Sequence, residues 1–293
     1  MDTSKALPML PMSAHVVQVP IPAATLPPES ETNTYLILDA HVGTREAVLV
    51  DAGSSNPLHL QRLLDLLSQL GIRHVKALVA THYHPDHVCG FPALQELLQA
   101  PIFVHEADLQ GALQVFACSN VHSLTVYPLP DELSVGSISL KMRHAPGHTH
   151  GHIHVEIAAD AVVLVGDHLS GLGTVWIGPP DGHMQTYYEA LTSLMAGPWE
   201  VAGPGHGAPL MDVPQAAQTL LARRHTREEQ ILSLLQAGPQ NRFWLTQAIY
   251  SATVLAQARG VAERTIQAHL QYLLENGRLR REYLPNTGFV YYL

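Results

Sequence analysis

The sequence predicts an α/β protein with a separate helical end, and three observations predict it. Short apolar runs of strand length alternate with helical periodicities through the first two thirds of the chain. From about Val213 the texture turns helical and closes on a hairpin. The charge changes sign near the same point: residues 1–209 carry 7 basic and 19 acidic side chains, residues 210–293 carry 9 arginines and 6 acidic side chains. The 293 residues suffice for one large domain and a smaller one, expected at 1–212 and 213–293.

The strands come first. NTYLIL (33–38), AVLVDAG (47–53), VKALVAT (75–81) and IFVH (102–105) read as strands, followed after a polar break by ISLKMRH (138–144), HIHVEI (152–157) and AVVLVGD (161–167). Between them, Leu58, Leu63, Leu66, Leu67 and Leu70 mark a helix stopped by Gly71. A second helix starts near Pro92 and ends before Pro101, and a third covers 184–195. Beyond 213, helical patterns run over 213–236, about 245–256 and 262–275, closed by Asn276-Gly277. RLRREYLPNTGFVYYL then reads as a hairpin turning at Pro285-Asn286-Thr287-Gly288. Three helices and a two-stranded wing are the outline of a winged helix.

Bulk properties narrow the classes. No run of eighteen apolar residues exists, so no membrane span is expected. The N-terminal residues carry one lysine and an apolar run broken by Pro8 and Pro11, unlike a secretory or transit signal, so the cytoplasm is the expected compartment. Cys89 and Cys118 are too few for a disulfide framework and fit no zinc-finger spacing. The 19 histidines outnumber the 16 lysines and arginines, and clustered imidazole points first to metal.

The decisive segment is Thr81-His82-Tyr83-His84-Pro85-Asp86-His87, which leaves a strand end. In extended chain, side chains at i and i+2 share a side. His82 and His84 are therefore placed to grip one ion, with Asp86 and His87, past Pro85, facing a second. Three more loops put His or Asp beside glycines at strand ends: Gly147-His148-Thr149-His150-Gly151-His152, Gly166-Asp167-His168 and Gly203-Pro204-Gly205-His206-Gly207.

These four segments, in this order, together with Asp51 in the lead-in Leu49-Val50-Asp51-Ala52-Gly53, resemble the metallo-β-lactamase superfamily. The resemblance covers residues from about 15 to 210. It implies an αββα sandwich, two sheets face to face with helices outside, and metals at one sheet edge. It also implies that one ion takes His82, His84 and His148, that a second takes Asp86, His87 and His206, and that Asp167 bridges the two. The nitrogen-and-oxygen donor set makes zinc the expected metal, with manganese or iron compatible. Two such ions about 3.5–4 Å apart lower the pKa of a shared water, whose hydroxide attacks a carbonyl or phosphorus centre. Asp86 and Asp167 are the expected catalytic carboxylates.

HTREEQILSLL (225–235), AERTIQAHLQYLLENGRL (262–279) and GLGTVWIGPP (171–180) resemble the lactamase-beta-like-protein-2 branch, in which a winged-helix domain follows the catalytic one. That likeness implies an endoribonuclease or phosphodiesterase acting on single-stranded RNA. The acidic first 209 residues favour instead a hydrolase of small esters, thioesters or lactones, since a nuclease channel is normally basic. A third reading is a ligand sensor whose winged helix binds nucleic acid. A homodimer is a further expectation.

Other conspicuous residues have plainer readings. Asp51 is expected to be structural and Tyr83 to pack. His150, His152, His168 and His183 are expected at the surface or behind the ligands, and His105 and His154 as satisfied strand histidines. Arg223, Arg224 and Arg227 read as a solvated helix face, and Arg278, Arg280 and Arg281 as either a phosphate-contacting wing or a charged edge strand.

Overall fold

Seven strands form the first sheet in chain order: β1 (Leu10–Pro11), β2 (Val16–Pro22), β3 (Glu31–Leu38), β4 (Glu46–Val50), β5 (His74–Val79), β6 (Ile102–Val104) and β7 (Val126–Pro128). The second sheet holds β8 (Glu132–Val135), β9 (Ile138–His144), β10 (Ile153–Ile157), β11 (Val162–Gly166) and β12 (Val201–Pro204), in the reverse spatial order β12-β11-β10-β9-β8. The computed structural model describes residues 7–25, 28–39, 46–119, 121, 123–171 and 173–293. Leu172, within the quoted Gly171–Pro180 segment, and the first six residues lie outside them.

Two apolar layers explain this arrangement. Alternate residues of β3, β4 and β5 (Tyr35, Ile37, Val48, Val50, Ala77 and Val79) meet Leu140, Val155, Ile157 and Leu164 of the second sheet in one buried cluster. The opposite side chains of the first sheet, among them Leu36, Leu49 and Leu78, pack on the helices. These are α1 (Pro57–Gln69), the short α2 (Pro85–Val88), α3 (Phe91–Leu98) and α4 (Leu109–Phe116). The central strands are thus covered on both faces, which is why they read as unbroken apolar runs. Helix α1 starts where the Asn56 side chain accepts the Leu58 N–H and Pro57 takes the first position. Its buried Leu60, Leu63, Leu66 and Leu67 recur at helical spacing, each worth about 1.5–3 kcal/mol of burial.

The chain divides into two compact units. One comprises Met1–Ala145, Gly151–Thr174 and Gly197–Val213; the other comprises Pro146–His150, Val175–Ala196 and Pro214–Leu293. The second contains α5 (Met184–Ala196), α6 (Val213–Leu235) from Pro214 onward, β13 (Gln240–Asn241), α7 (Arg242–Ile249), α8 (Ala252–Glu275), β14 (Arg280–Leu284) and β15 (Gly288–Tyr292). Its small sheet runs β13-β15-β14. Its core joins Ile231 and Leu235 of α6, Leu245 of α7, Ile266, Leu270 and Leu273 of α8, and Tyr291 of the hairpin.

Several elements differ from the sequence reading. The helix expected over about 245–256 is instead broken at Tyr250, which is extended, because the Ser251 hydroxyl caps a new helix by accepting the Val254 N–H. Helix α8 then runs through to Glu275 with a kink at Ala258. Strand β2, rich in proline, is not among the expected strands. Strand β1 pairs only with Val17 and Gln18, so Pro20 and Pro22 lie where β2 is itself the sheet edge and no N–H is missed. Pro85 does more than bend the chain: it opens α2 with His84 as the preceding cap residue. Among the described residues, no helix is long and apolar enough to cross a membrane.

Candidate metal centre

The residues of the decisive motif leave the end of β5, and an aspartate beyond the end of β4 organises them. Asp51 is 1% exposed and holds a left-handed φ of 58°. Its Oδ1 accepts the Thr81 N–H at 2.8 Å. Its Oδ2 accepts the Thr81 hydroxyl at 2.7 Å and the His87 Nδ1–H at 2.8 Å. The hydroxyl proton of Thr81 is thereby committed, so its oxygen accepts from His82 Nδ1, 3.1 Å away. On the loop after β12, His206 Nδ1–H donates to the Glu31 carbonyl at 2.8 Å. Within the second unit, His148 is buried and its Nδ1–H donates to the Trp176 carbonyl at 2.7 Å.

One tautomer follows for all four imidazoles: proton on Nδ1, lone pair on Nε2. A carbonyl, hydroxyl or carboxylate partner on the far nitrogen is how proteins orient histidines that bind metal.

The inward-facing atoms stand at ligand spacing. Donors about 2.0–2.1 Å from one tetrahedral ion are roughly 3.3 Å apart. In the first unit, His82 Nε2 lies 3.1 Å from His84 Nδ1, and His87 Nε2 lies 3.4 Å from Asp167 Oδ1. His206 Nε2 lies 3.5 Å from Asp167 Oδ1 and 3.6 Å from Asp86 Oδ2. Two groups have all their donor atoms within 4.8 Å of one another: His82, His87 and Asp167, and Asp86, His87 and His206. His87 Nε2 is buried and makes no hydrogen bond of acceptable geometry among the described residues, which a cation would answer.

Electrostatics agree. Burial alone would pull the His87 pKa down, but the charges of Asp167 and Asp51 raise it well above the usual imidazole value. His206 is raised despite burial by its interaction with Asp167. Burial would raise Asp167, yet the His87 charge and the contact with His206 hold it far below the ordinary carboxylate range. The site demands positive charge, and protons take the place a cation would fill. The donor set therefore fits divalent metal.

Glycines give the loops room to converge. A Cβ built on Gly53 would overlap the Asp86 carbonyl, and one on Gly205 would overlap Asp167 and come within 2.6 Å of the His87 ring. Asp108, unremarked in the sequence, is 2% exposed and ties two of these loops together. Its Oδ1 accepts the Gly151 N–H at 2.6 Å and its Oδ2 the Tyr83 N–H at 3.2 Å. Glu29, also missed, stands 3.5 Å from Ser170 and is raised by burial against the pull of His206. Nothing local in the sequence marks either carboxylate.

The plainer readings fare unevenly. Tyr83 packs on the helical side of the first sheet, both cysteines are free thiols, and the Cys89 thiol donates to the Gly53 carbonyl. His150 is exposed and His105 stacks on His144 at 4.0 Å, while His183 meets Glu275 at 3.1 Å. Arg224 departs from the solvated face expected of it: it is 7% exposed and donates to the Val175 carbonyl. Arg223 is exposed, and Arg227 lies over the Tyr250 ring. Arg278 pairs with Glu229 at 3.0 Å, whereas Arg280 and Arg281 are exposed on β14.

Residues 27–206 match the family model described as the metallo-beta-lactamase superfamily. The chain belongs to the metallo-β-lactamase superfamily. Among curated relatives of this metallo-β-lactamase-superfamily chain is an atrochrysone carboxyl ACP thioesterase from Aspergillus fumigatus. It is 26% identical over 206 residues, which cover 70% of this chain and 60% of the relative. The chain thus spans about 60% of the length of the curated relatives it matches. A metallo-β-lactamase family protein from Thermus thermophilus is 25% identical with a TM-score of 0.74, covering 95% of this chain and 98% of that one. A further crystal structure, of a protein in a di-iron-bound form, is 29% identical with a TM-score of 0.52, covering 66% of this chain and 96% of that one.

Proposed function

We propose that this superfamily hydrolase cleaves small acyl thioesters or related esters with two divalent ions, zinc being the expected metal. His82, His84 and His148 would hold one ion and Asp86, His87 and His206 the other, with Asp167 between them. The observation that carries the reading is the shared tautomer of His82, His87, His148 and His206, each steered by a partner on Nδ1. The thioesterase name of the relative and the excess of acidic residues over 1–209 favour a small acyl substrate.

Ions so held supply Lewis acidity and a water of near-neutral pKa. The chain's own groups do the rest. Asp51 keeps the His87 proton on Nδ1. Asp86, half-buried beside His206, is placed to accept a proton from the attacking water and pass it to the departing thiolate. Asp167 spans the His87 and His206 nitrogens.

One observation favours RNA as a second reading. The C-terminal helices and hairpin, which we read as a winged helix, expose Tyr283 (61%) and Phe289 (49%) with the Arg281 guanidinium 4.9 Å from the Phe289 ring centre. Aromatic rings beside arginine are a stacking platform for single strands.

The test runs metal-loaded protein on acyl-coenzyme A thioesters, with thiol release as readout, beside end-labelled single-stranded RNA. Thiol release abolished by chelation and by Asp167→Asn is expected. RNA cleavage with the same dependence, and no thiol release, would replace the thioester reading.

A further inference from the structure

Three histidines outside the proposed ligand set form a buried column in the first unit. His152, His154 and His168 are 0%, 2% and 0% exposed. Their nitrogens come within 4.8 Å of one another, which has the composition of another cation site. The ring geometry argues otherwise. The His152 and His168 rings stack with centroids 3.9 Å apart and planes 13° from parallel. An ion about 2.0–2.1 Å from each nitrogen must lie near both ring planes, and two stacked planes share no such point. The third ring is already engaged, with His154 Nε2 2.8 Å from His168 Nδ1.

The column reaches the metal centre at two places. The Asp167 N–H donates to His152 Nε2 at 3.2 Å, which puts the His152 proton on Nδ1. The His152 ring also stacks on His82, with centroids 5.2 Å apart and planes inclined at 26°. The main chain is pressed onto this ring. Gly166 has a φ of +48°, and a Cβ there would stand 2.7 Å from His152 Nε2 and 2.8 Å from the Thr81 hydroxyl.

We infer that His152 is a positioning residue for the bridging carboxylate: its Nε2 sets the backbone of Asp167, and its ring, backed by His168 and His154, sets the plane of His82. This rests on the reading of the centre given above. An acceptor at 152 fixes where the Asp167 carboxylate begins, and so how well one group spans two ions.

The test titrates the metal-free full chain with Zn2+ and counts bound ions by native mass spectrometry in metal buffers. His152→Phe keeps a flat ring against His82 and His168 but removes the acceptor; His152→Gln restores an acceptor. Wild type is expected to take up two ions. His152→Phe should hold one ion normally and the other about 10–100-fold more weakly, with the melting temperature of the metal-free chain near wild type. His152→Gln should recover most of that loss. A His152→Phe titration matching wild type overturns the inference, as does a folded His152→Gln no better than His152→Phe.

A measurement on wild type guards against variants that do not fold. NMR should show scalar coupling across the Asp167 N–H to His152 Nε2 hydrogen bond, and its absence overturns the inference. If wild type takes up no ions, the reading of the centre falls, while the coupling still decides the role of His152 toward Asp167.

Discussion

Replacing Asp51 by asparagine should disable the centre while leaving the fold standing. The backbone survives because asparagine tolerates the left-handed φ of 58° at this position. The hydrogen bonds do not. If the amide oxygen keeps the Thr81 N–H, the amide NH2 faces the Thr81 hydroxyl and His87 Nδ1, both of which donate to Asp51 in the wild type. The hydroxyl can turn to accept. His87 can accept only by moving its proton to Nε2, the atom that would face the ion. The penalty is the loss of a charge-assisted bond, about 1.5–3 kcal/mol, which converts to roughly 10- to 150-fold in metal affinity. Equilibrium dialysis against metal buffers, with ions counted per chain, reads this directly beside the melting temperature of the metal-free protein. An Asp51→Asn chain that binds both ions like wild type would refute the tautomer argument. Asp51→Ala is a different perturbation. It places alanine at a left-handed φ and leaves three buried donors unanswered at about 1–3 kcal/mol each, comparable with the whole stability of a domain at about 5–15 kcal/mol.

Asp167→Asn should cost at least the ~10–100-fold typical of groups that merely orient ligands, with the circular dichroism of the chain unchanged; full turnover at normal metal content would remove its bridging role. Gly53→Ala should displace the Asp86 turn and lower stability by about 1–3 kcal/mol or more, read by urea melts together with loss of bound metal. Metal uptake should strengthen with rising pH, because the raised His87 and His206 hold protons that an ion must displace; flat affinity between pH 6 and 8 would contradict this. Burial holds His154 down to about 3 and His269 down to about 4. Both take up protons in the unfolded chain near the ordinary imidazole value but not in the folded one. Stability of the metal-free protein should therefore fall as pH drops from about 6.5 toward 4, by up to about 2.7 kcal/mol per pH unit where both contribute. Urea melts at pH 6.5, 5.5 and 4.5 check the sign.

What can be read in advance follows the range of the interactions. The strands of both sheets that carry apolar runs, such as VVLVG (162–166), announce themselves because each is buried on both faces. Strand β2 does not, since its prolines are permitted only by the shortness of β1. The end of α7 escapes the periodicity because one hydroxyl, that of Ser251, decides it. In the centre, His82, His84, Asp86 and His87 are legible as a group because they lie within six residues at the end of one strand. The tie of Asp51 to Thr81 and His87, the clasp of Asp108 on Gly151, and the column behind Asp167 depend on residues that meet only after folding. In the sequence His152 reads as a surface residue or one behind the ligands and His154 as a satisfied strand histidine, and the rings themselves show no difference until their stacking partners are known.

The proposed metal donors come from both sheets. His82, His84, Asp86 and His87 follow β5 of the first sheet, whereas Asp167 and His206 follow β11 and β12 of the second. Polar ties already cross the sandwich at this end, where the Asn33 amide and the Tyr35 hydroxyl donate to the Pro204 carbonyl. An ion gripped there would rivet the two layers, so the grip strength of the sandwich becomes a readout of the surrounding metal supply. At a free-ion level a hundredfold above the dissociation constant, the rivet adds about 2.7 kcal/mol to the folded state. A cell short of that metal would hold a less stable folded protein that also lacks its turnover.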